Sequence, residues 1–284
     1  MKLYQKSEIE KIKEKYGFKF SKNLGQNFLM DKNIIDKIIE GTEINAEDTV
    51  IEIGPGIGVI TQEAANRAKK VIAVEIDKSL IPILEETLAE HDNIKIINED
   101  ILKLDLNKII DEENAESVKI IGNLPYYITT PIIMKILNDE VKAKSITVMM
   151  QKEVAERIKA EPGTKTYGAI SVAVQYSCLV KKIAEVPRTV FVPQPNVDST
   201  VLKLIPRGKG AVEVQDKKLF FECIKAGFGQ RRKTLSNSLQ TIRGTSKETI
   251  IASLNAAGIE PTRRAETLTL EEFGKLSNEV YKRL

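Results

Sequence analysis

The chain has 284 residues, enough for one large domain or two ordinary ones. Hydrophobic residues make up 42%, charged residues 29%, and the net charge is only +3, a balance that excludes a disordered chain and allows a buried core. Strictly apolar runs are short, as at 148–150, so no membrane span of roughly 20 residues is expected; the charged opening segment lacks a signal-peptide core, which points to the cytoplasm.

Residues 8–16 predict a short polar helix. A segment rich in Lys, Asn, Gly and Gln follows at 21–29. Asp31 then stands where a helix cap belongs, with apolar residues at 34, 35, 38 and 39 at helical spacing. From residue 49 the period changes. TVIEIGPGIG (49–58) predicts a buried strand running into a glycine loop. Helix 60–68, strand 71–77, helix 80–90, strand 94–100, strand 118–127, helix 130–139, strand 145–151 and helix 153–160 follow. Residues 169–177 fit a helix or a strand, and late strands are expected at 182–187 and 199–206. Strands alternating with helices imply an α/β fold with a mainly parallel, doubly wound, Rossmann-like sheet. Pro206, Arg207, Gly208 and Gly210 read as a linker. Residues 216–284 lack strand patterning and predict helices at 216–228, 232–242, 246–257 and 270–283. The expected organisation is a domain of 1–206, with a helical extension over 1–48, and a small all-helical domain of 207–284.

Two cysteines, Cys178 and Cys223, and a single histidine, His91, bound the chemistry. They are too few for an all-thiolate or multi-histidine zinc site, and nothing near His91 suggests a base, so no metal is expected. Charge is uneven. Residues 207–284 carry 15 Lys and Arg against 9 Asp and Glu, while the remainder is mildly acidic. That asymmetry suggests a polyanionic partner at one end.

The glycine loop at Gly54, Gly56 and Gly58 lets the backbone turn sharply and approach a ligand. Its G-x-G-x-G spacing differs from the dinucleotide G-x-G-x-x-G and favours a nucleoside ligand without pyrophosphate, namely S-adenosylmethionine. Glu75, ending the second strand, is placed to accept from both ribose hydroxyls, a device that dehydrogenases share. Asp77 reads as a helix cap. Asp100, ending the third strand, is placed to accept from an adenine amine, or else caps a turn. Such strand ends converge on one crevice.

Asn123-Leu124-Pro125-Tyr126, ending the fourth strand, resembles the motif of methyltransferases that act on exocyclic amines. The Asn123 side-chain oxygen and a carbonyl at Leu124 or Pro125 suit the two hydrogens of an adenine N6, and Tyr126 suits its face. Phe191, in the proline-stiffened 191–199, is either the second face of that sandwich or a buried loop anchor. Arg231, Arg232 and Lys233 suit RNA phosphates or a solvated helix start, as do Arg263 and Arg264. Lys22 and the 26–29 segment precede the first sheet strand and are placed to reach over the crevice.

Together LGQNFL (24–29), VIEIGPGIG (50–58), NLPYYITTPI (123–132), MMQKEVAERI (149–158), VFVPQPNVDS (190–199) and QRRKTLSN (230–237) resemble the ribosomal RNA adenine N6-dimethyltransferase family, most closely its bacterial small-subunit branch. The resemblance implies a class I methyltransferase sheet and S-adenosylmethionine contacts at Asn27, Leu29, Gly54, Gly56, Glu75, Asp100 and Asn123. It implies target-base contacts at Asn123 through Tyr126 and at Phe191; the residues read for RNA contact, from charge and place in the chain, are Lys22 and Arg231 to Lys233. The implied reaction dimethylates N6 of two adjacent adenines in the hairpin loop near the 3′ end of 16S RNA, on assembling small subunits. A monomer is expected. A related large-subunit RNA methyltransferase, a non-catalytic binding factor and a dehydrogenase are the alternatives.

Overall fold

Runs such as VIAV and VMM, apolar at every position, become strands buried on both faces, as parallel strands under helices must be. The computed structural model describes residues 2–18, 20–21, 24–230 and 232–284. The expected contacts Lys22 and Arg231 lie outside the described residues. The first part of the chain runs α1 (Lys6–Tyr16), β1 (Phe28–Leu29), α2 (Lys32–Thr42), β2 (Thr49–Ile53), α3 (Val59–Ala65), β3 (Lys70–Glu75), α4 (Ile81–Thr87) and β4 (Ile94–Asn98). It continues through α5 (Leu106–Glu112), β5 (Val118–Asn123), α6 (Thr129–Asn138), β6 (Ser145–Gln151) and α7 (Lys152–Lys159). Then come α8 (Ala169–Ser177), β7 (Cys178–Val186), β8 (Phe191–Val192) and β9 (Ser199–Pro206).

Seven strands form one sheet in the order β4-β3-β2-β5-β6-β9-β7. β4 to β6 pair in parallel, and β9 joins β6 antiparallel, with Met149 opposite Val201. The expected doubly wound sheet is therefore present. Its central strands are fully buried, whereas β4 is half-exposed at the edge. Asp31 caps α2 by accepting from the Ile34 N–H, and Ile34, Ile35, Ile38 and Ile39 turn inward. Helix α5 and the two-residue strands β1 and β8 are absent from the sequence reading; α5 is short, and a strand of two residues has no period to detect.

The chain divides into two compact units, 1–155 with 180–206, and 156–179 with 207–284. This corrects the expected boundary, which kept 156–179 in the first domain. Residues 169–177 resolve as helix α8, and the Tyr167 hydroxyl donates to the Leu268 carbonyl at 3.0 Å. The Tyr176 ring lies 4.4 Å from that of Phe220, centroid to centroid. Apolar contact, not sequence adjacency, assigns the segment to the second unit. That unit completes itself with α9 (Lys217–Gly229), α10 (Leu235–Ser238), α11 (Lys247–Ala256) and α12 (Leu270–Tyr281), around Phe220, Cys223, Leu254, Phe273 and Leu276. No helix among the described residues is long and apolar enough to cross a membrane.

Candidate active site

The sheet order departs from β2 toward β3 on one side and toward β5 on the other. At such a switch point the carboxyl ends of the strands open into a crevice. Here it encloses about 990 Å³ of atom-free space, its open mouth included. Gly54, Gly56, Glu75, Asp100 and Asn123 line it from four strand ends, and segment 24–29 brings Asn27 and Leu29 to the same space.

Gly56 holds φ at 62°, and a Cβ there would come within 3.0 Å of the Phe28 ring. Both the conformation and the close approach of segment 24–29 call for glycine. Glu75 is only 5% exposed, so it is no solvated strand end. Its Oε1 accepts from the Asp77 N–H at 2.8 Å and its Oε2 from the Gly56 N–H at 3.4 Å. Burial nevertheless pushes its carboxyl up to about 7. Asp77 accepts from the Ser79 N–H, as a cap should, and also from Gln26 Nε2 at 2.6 Å. Gln26 thereby ties segment 24–29 to the end of β3. Asp100 uses Oδ1 for its own turn, accepting from the Leu102 N–H at 2.9 Å.

Glu52 lines the crevice from within β2, and the sequence gives it no role beyond its place in the strand that runs into the glycine loop. Its signal was a carboxylate inside the buried strand TVIEI. Its Oε2 has no hydrogen-bond partner among the described residues. Burial pushes the carboxyl up to about 8, opposed by the Thr61 hydroxyl, which closes no bond to Oε2, and reinforced by the charge of Glu75.

At the end of β5 the Asn123 Nδ2 donates to the Asn27 carbonyl at 2.9 Å, which leaves Oδ1 as the open end of the amide. Leu124 is buried, and its N–H donates to the Met149 carbonyl at 3.1 Å. The Pro125 carbonyl already accepts from the Ile128 N–H at 3.1 Å and the Thr129 hydroxyl at 3.0 Å. Of the two carbonyls considered from sequence, Leu124's is the one outside that turn. Tyr126 is half-buried, with its hydroxyl 2.7 Å from Ser199 Oγ.

Phe191 departs from its expected place across the base. It is 3% exposed, does not line the crevice, and pairs with Leu29 where β8 meets β1. The loop-anchor alternative is the one the structure contains. In the second unit, Arg232 and Lys233 are exposed, and the Leu235 N–H donates to the Arg263 carbonyl at 2.8 Å, which holds the 230–236 and 261–264 segments together. Arg263 itself is spent within the fold: its guanidinium forks onto the Glu272 carboxylate, with Nη2 to Oε2 at 3.0 Å. Arg264 stays exposed.

One sequence-family model, described as Ribosomal RNA adenine dimethylase, matches residues 17–282. The chain belongs to the ribosomal RNA adenine dimethylase family. The Ribosomal RNA small subunit methyltransferase A of Clostridioides difficile (strain 630) is 51% identical over 278 residues, 98% of this chain and 96% of that one. Its namesake from Bacillus mycoides (strain KBAB4) is 52% identical over 272 residues, 94% of this chain and 93% of that one. Among solved structures, a dimethyladenosine transferase from Plasmodium falciparum has a TM-score of 0.73 at 26% identity, covering 88% of this chain and 95% of its own. The 23S rRNA methyltransferase ErmE has a TM-score of 0.64 at 27% identity, covering 89% and 99%. As a ribosomal RNA adenine dimethylase the protein needs one place for a methyl donor and one for a base.

Proposed function

We propose that the crevice holds S-adenosylmethionine along the ends of β2, β3 and β4 and an extruded adenine at the corner after β5. The protein then dimethylates N6 of two adjacent adenines in the 3′-terminal hairpin loop of 16S RNA, on assembling small subunits. The observation that carries this reading is the Asn123–Asn27 bond. It commits the Nδ2 end of the amide to Asn27 and leaves Oδ1, an acceptor, for a base amine.

The donor side suits the residues present. Glu75 offers carboxylate oxygens to ribose hydroxyls, and Asp100 an oxygen to an adenine amine. The Gly54–Gly56 turn admits a ligand against the backbone, and the unpartnered Glu52 Oε2 waits for a hydrogen-bond donor. When bound, S-adenosylmethionine supplies an electrophilic methyl group. On the acceptor side, the N6 lone pair of adenine is delocalised into its ring and is a weak nucleophile. Asn123 Oδ1 and the Leu124 carbonyl take the two N6 hydrogens, turn the lone pair out of the ring plane and stabilise charge growing on nitrogen. Tyr126 stacks on the base. Proximity and orientation supply much of the rest. The substituted nitrogen is acidic and sheds its proton to water, so no side-chain base is needed.

Identity of 51% to a small-subunit enzyme, against 27% to ErmE, favours small-subunit RNA. Arg232 and Lys233 meet phosphates, together with their sequence neighbour Arg231 and, from the N-terminal segment, Lys22. The protein works as a monomer in the cytoplasm, where bacterial ribosomes assemble. Radiolabelled methyl transfer into undermethylated small subunits, followed by nucleoside analysis, is expected to yield N6,N6-dimethyladenosine. Label confined to large subunits, or no transfer to either, overturns the reading.

A further inference from the structure

The corner after β5 carries two tyrosines, and the proposed reaction uses only one. The Ile128 N–H donates to the Pro125 carbonyl at 3.1 Å, which makes 125–128 a turn with Tyr126 and Tyr127 at its centre. Successive side chains at such a turn diverge. Tyr126 goes inward to Ser199, while Tyr127 stays at the rim, 55% exposed, and still lines the crevice.

A large aromatic so exposed is unusual in a chain where most aromatic rings are in packed clusters. It also stands beside segment 24–29: a methyl group placed on Gly25 would lie at ordinary contact distance, 3.5 Å from the Tyr127 ring and 3.6 Å from the Pro125 Cβ, so the glycine leaves open space against the ring. An exposed ring at the rim of a crevice is a surface on which a base can stack. Its position says which ligand it meets. Glu75 and Asp100 follow β3 and β4, and three strand spacings of about 4.8 Å separate β4 from β5, so the proposed nucleoside end of the donor lies about 14 Å away. What reaches the rim beside Asn123 is the acceptor strand.

We propose that Tyr127 stacks on an unpaired base flanking the target adenine, and so sets the register of single-stranded RNA at the crevice mouth. This rests on the function proposed above and adds a second recognition point to the same site. An aromatic face accepts any base, so the contact supplies affinity and register without reading base identity.

The test compares Tyr127→Ala and Tyr127→Phe with the wild type in three measurements. They are steady-state methyl transfer into undermethylated small subunits, calorimetric binding of S-adenosylmethionine without RNA, and fluorescence of a hairpin RNA carrying 2-aminopurine next to the target adenine. Tyr127→Ala is expected to raise KM for the subunit about tenfold, the worth of one base–aromatic stack, with kcat nearly unchanged. It should also lose the 2-aminopurine quenching seen with wild type. Tyr127→Phe keeps the ring and should restore both. Donor affinity should stay within about twofold in both variants. An unchanged KM and quenching in Tyr127→Ala overturn the proposal. So does a loss confined to donor affinity, which would make the ring only a brace for Gly25. A wild type that transfers no methyl group to RNA instead overturns the proposed function itself.

Discussion

Asn123 donates its side-chain N–H to the backbone carbonyl of Asn27 at 2.9 Å, across 96 residues of sequence. One bond joins the corner after β5 to segment 24–29 and commits the Nδ2 end of the amide, leaving Oδ1 outside it. Asn123→Ala removes both the oriented acceptor and the bond. Turnover is expected to fall by about 10²- to 10³-fold, the scale of a lost charge-stabilising group. Donor affinity should change by less than about tenfold, since a single neutral hydrogen bond contributes about 1 kcal/mol. Methyl incorporation beside calorimetry of S-adenosylmethionine checks this; wild-type incorporation by the variant removes the positioning role.

Tyr126 is held at both ends, by its backbone turn and by Ser199 Oγ at 2.7 Å. Tyr126→Phe keeps the stacking ring and loses that hydrogen bond, so kcat/KM should fall by about fivefold. Tyr126→Ala loses the ring as well and should fall at least tenfold further. Equal kinetics for the two variants would show that the ring does not touch the base.

Burial holds the Glu75 carboxyl up to about 7 in the ligand-free protein. Ribose hydroxyls donate best to the ionised form, so the ligand favours loss of the proton. Affinity for S-adenosylmethionine should therefore weaken as pH falls below about 7, approaching tenfold per unit, and level off above it. Binding near pH 6.5 should release a proton, visible as a buffer-dependent enthalpy. Glu75→Gln should bind more weakly and lose most of the slope; a slope unchanged in that variant places the titration elsewhere.

Glu52 titrates near 8 in the folded protein, against an ordinary carboxylate value near 4.5 when unfolded. The folded state thus keeps a proton that the unfolded chain gives up. The stability of the ligand-free protein should be fully present below about pH 4.5 as far as this group is concerned, and be lost as pH rises through about 8, by on the order of a few kcal/mol. Glu52→Gln removes the titration and should raise Tm at pH 8.5 more than at pH 5.5. Parallel Tm curves for variant and wild type would sink the assignment.

Arg232 and Lys233 are exposed, while the neighbouring Arg263 is forked onto Glu272. The double variant Arg232→Ala, Lys233→Ala should weaken subunit binding at every salt concentration and flatten the salt dependence by roughly one unit of slope per lost phosphate contact. Arg263→Ala should instead lower Tm with little change in that slope. Filter binding at several salt concentrations separates the two; a salt slope unchanged by the double variant removes these residues from the RNA contact.

Much of the crevice was legible before the fold was known. The buried runs ending in Glu75, Asp100 and Asn123 alternate with helices, and that alternation forces parallel strands whose carboxyl ends share one side. The glycine loop announced its turn through residues that alone tolerate positive φ. Phe191 was not legible, because its burial comes from β8 pairing with a two-residue strand far earlier in the chain. Glu52 carried no local sign of a role in the crevice, because its burial comes from the strands and helices that cover both faces of β2. Residues 156–179 read as a continuation of the sheet domain, yet Tyr167 and Tyr176 pack with the C-terminal helices.

Local sequence on its own determined the strand and helix order, the turn chemistry at Gly54 and Gly56, and the residue types that meet a donor and an amine. These follow from periodicity and backbone sterics, which act over a few residues. Only the tertiary structure decided the rest: that Asn27 holds Asn123, that the Pro125 carbonyl is taken while Leu124's is free of that turn, that Arg263 serves Glu272, and that Tyr127 stands exposed at the rim. Each depends on groups distant in sequence competing for the same hydrogen bond or the same face. Which partner wins is settled by packing, and no local pattern records it.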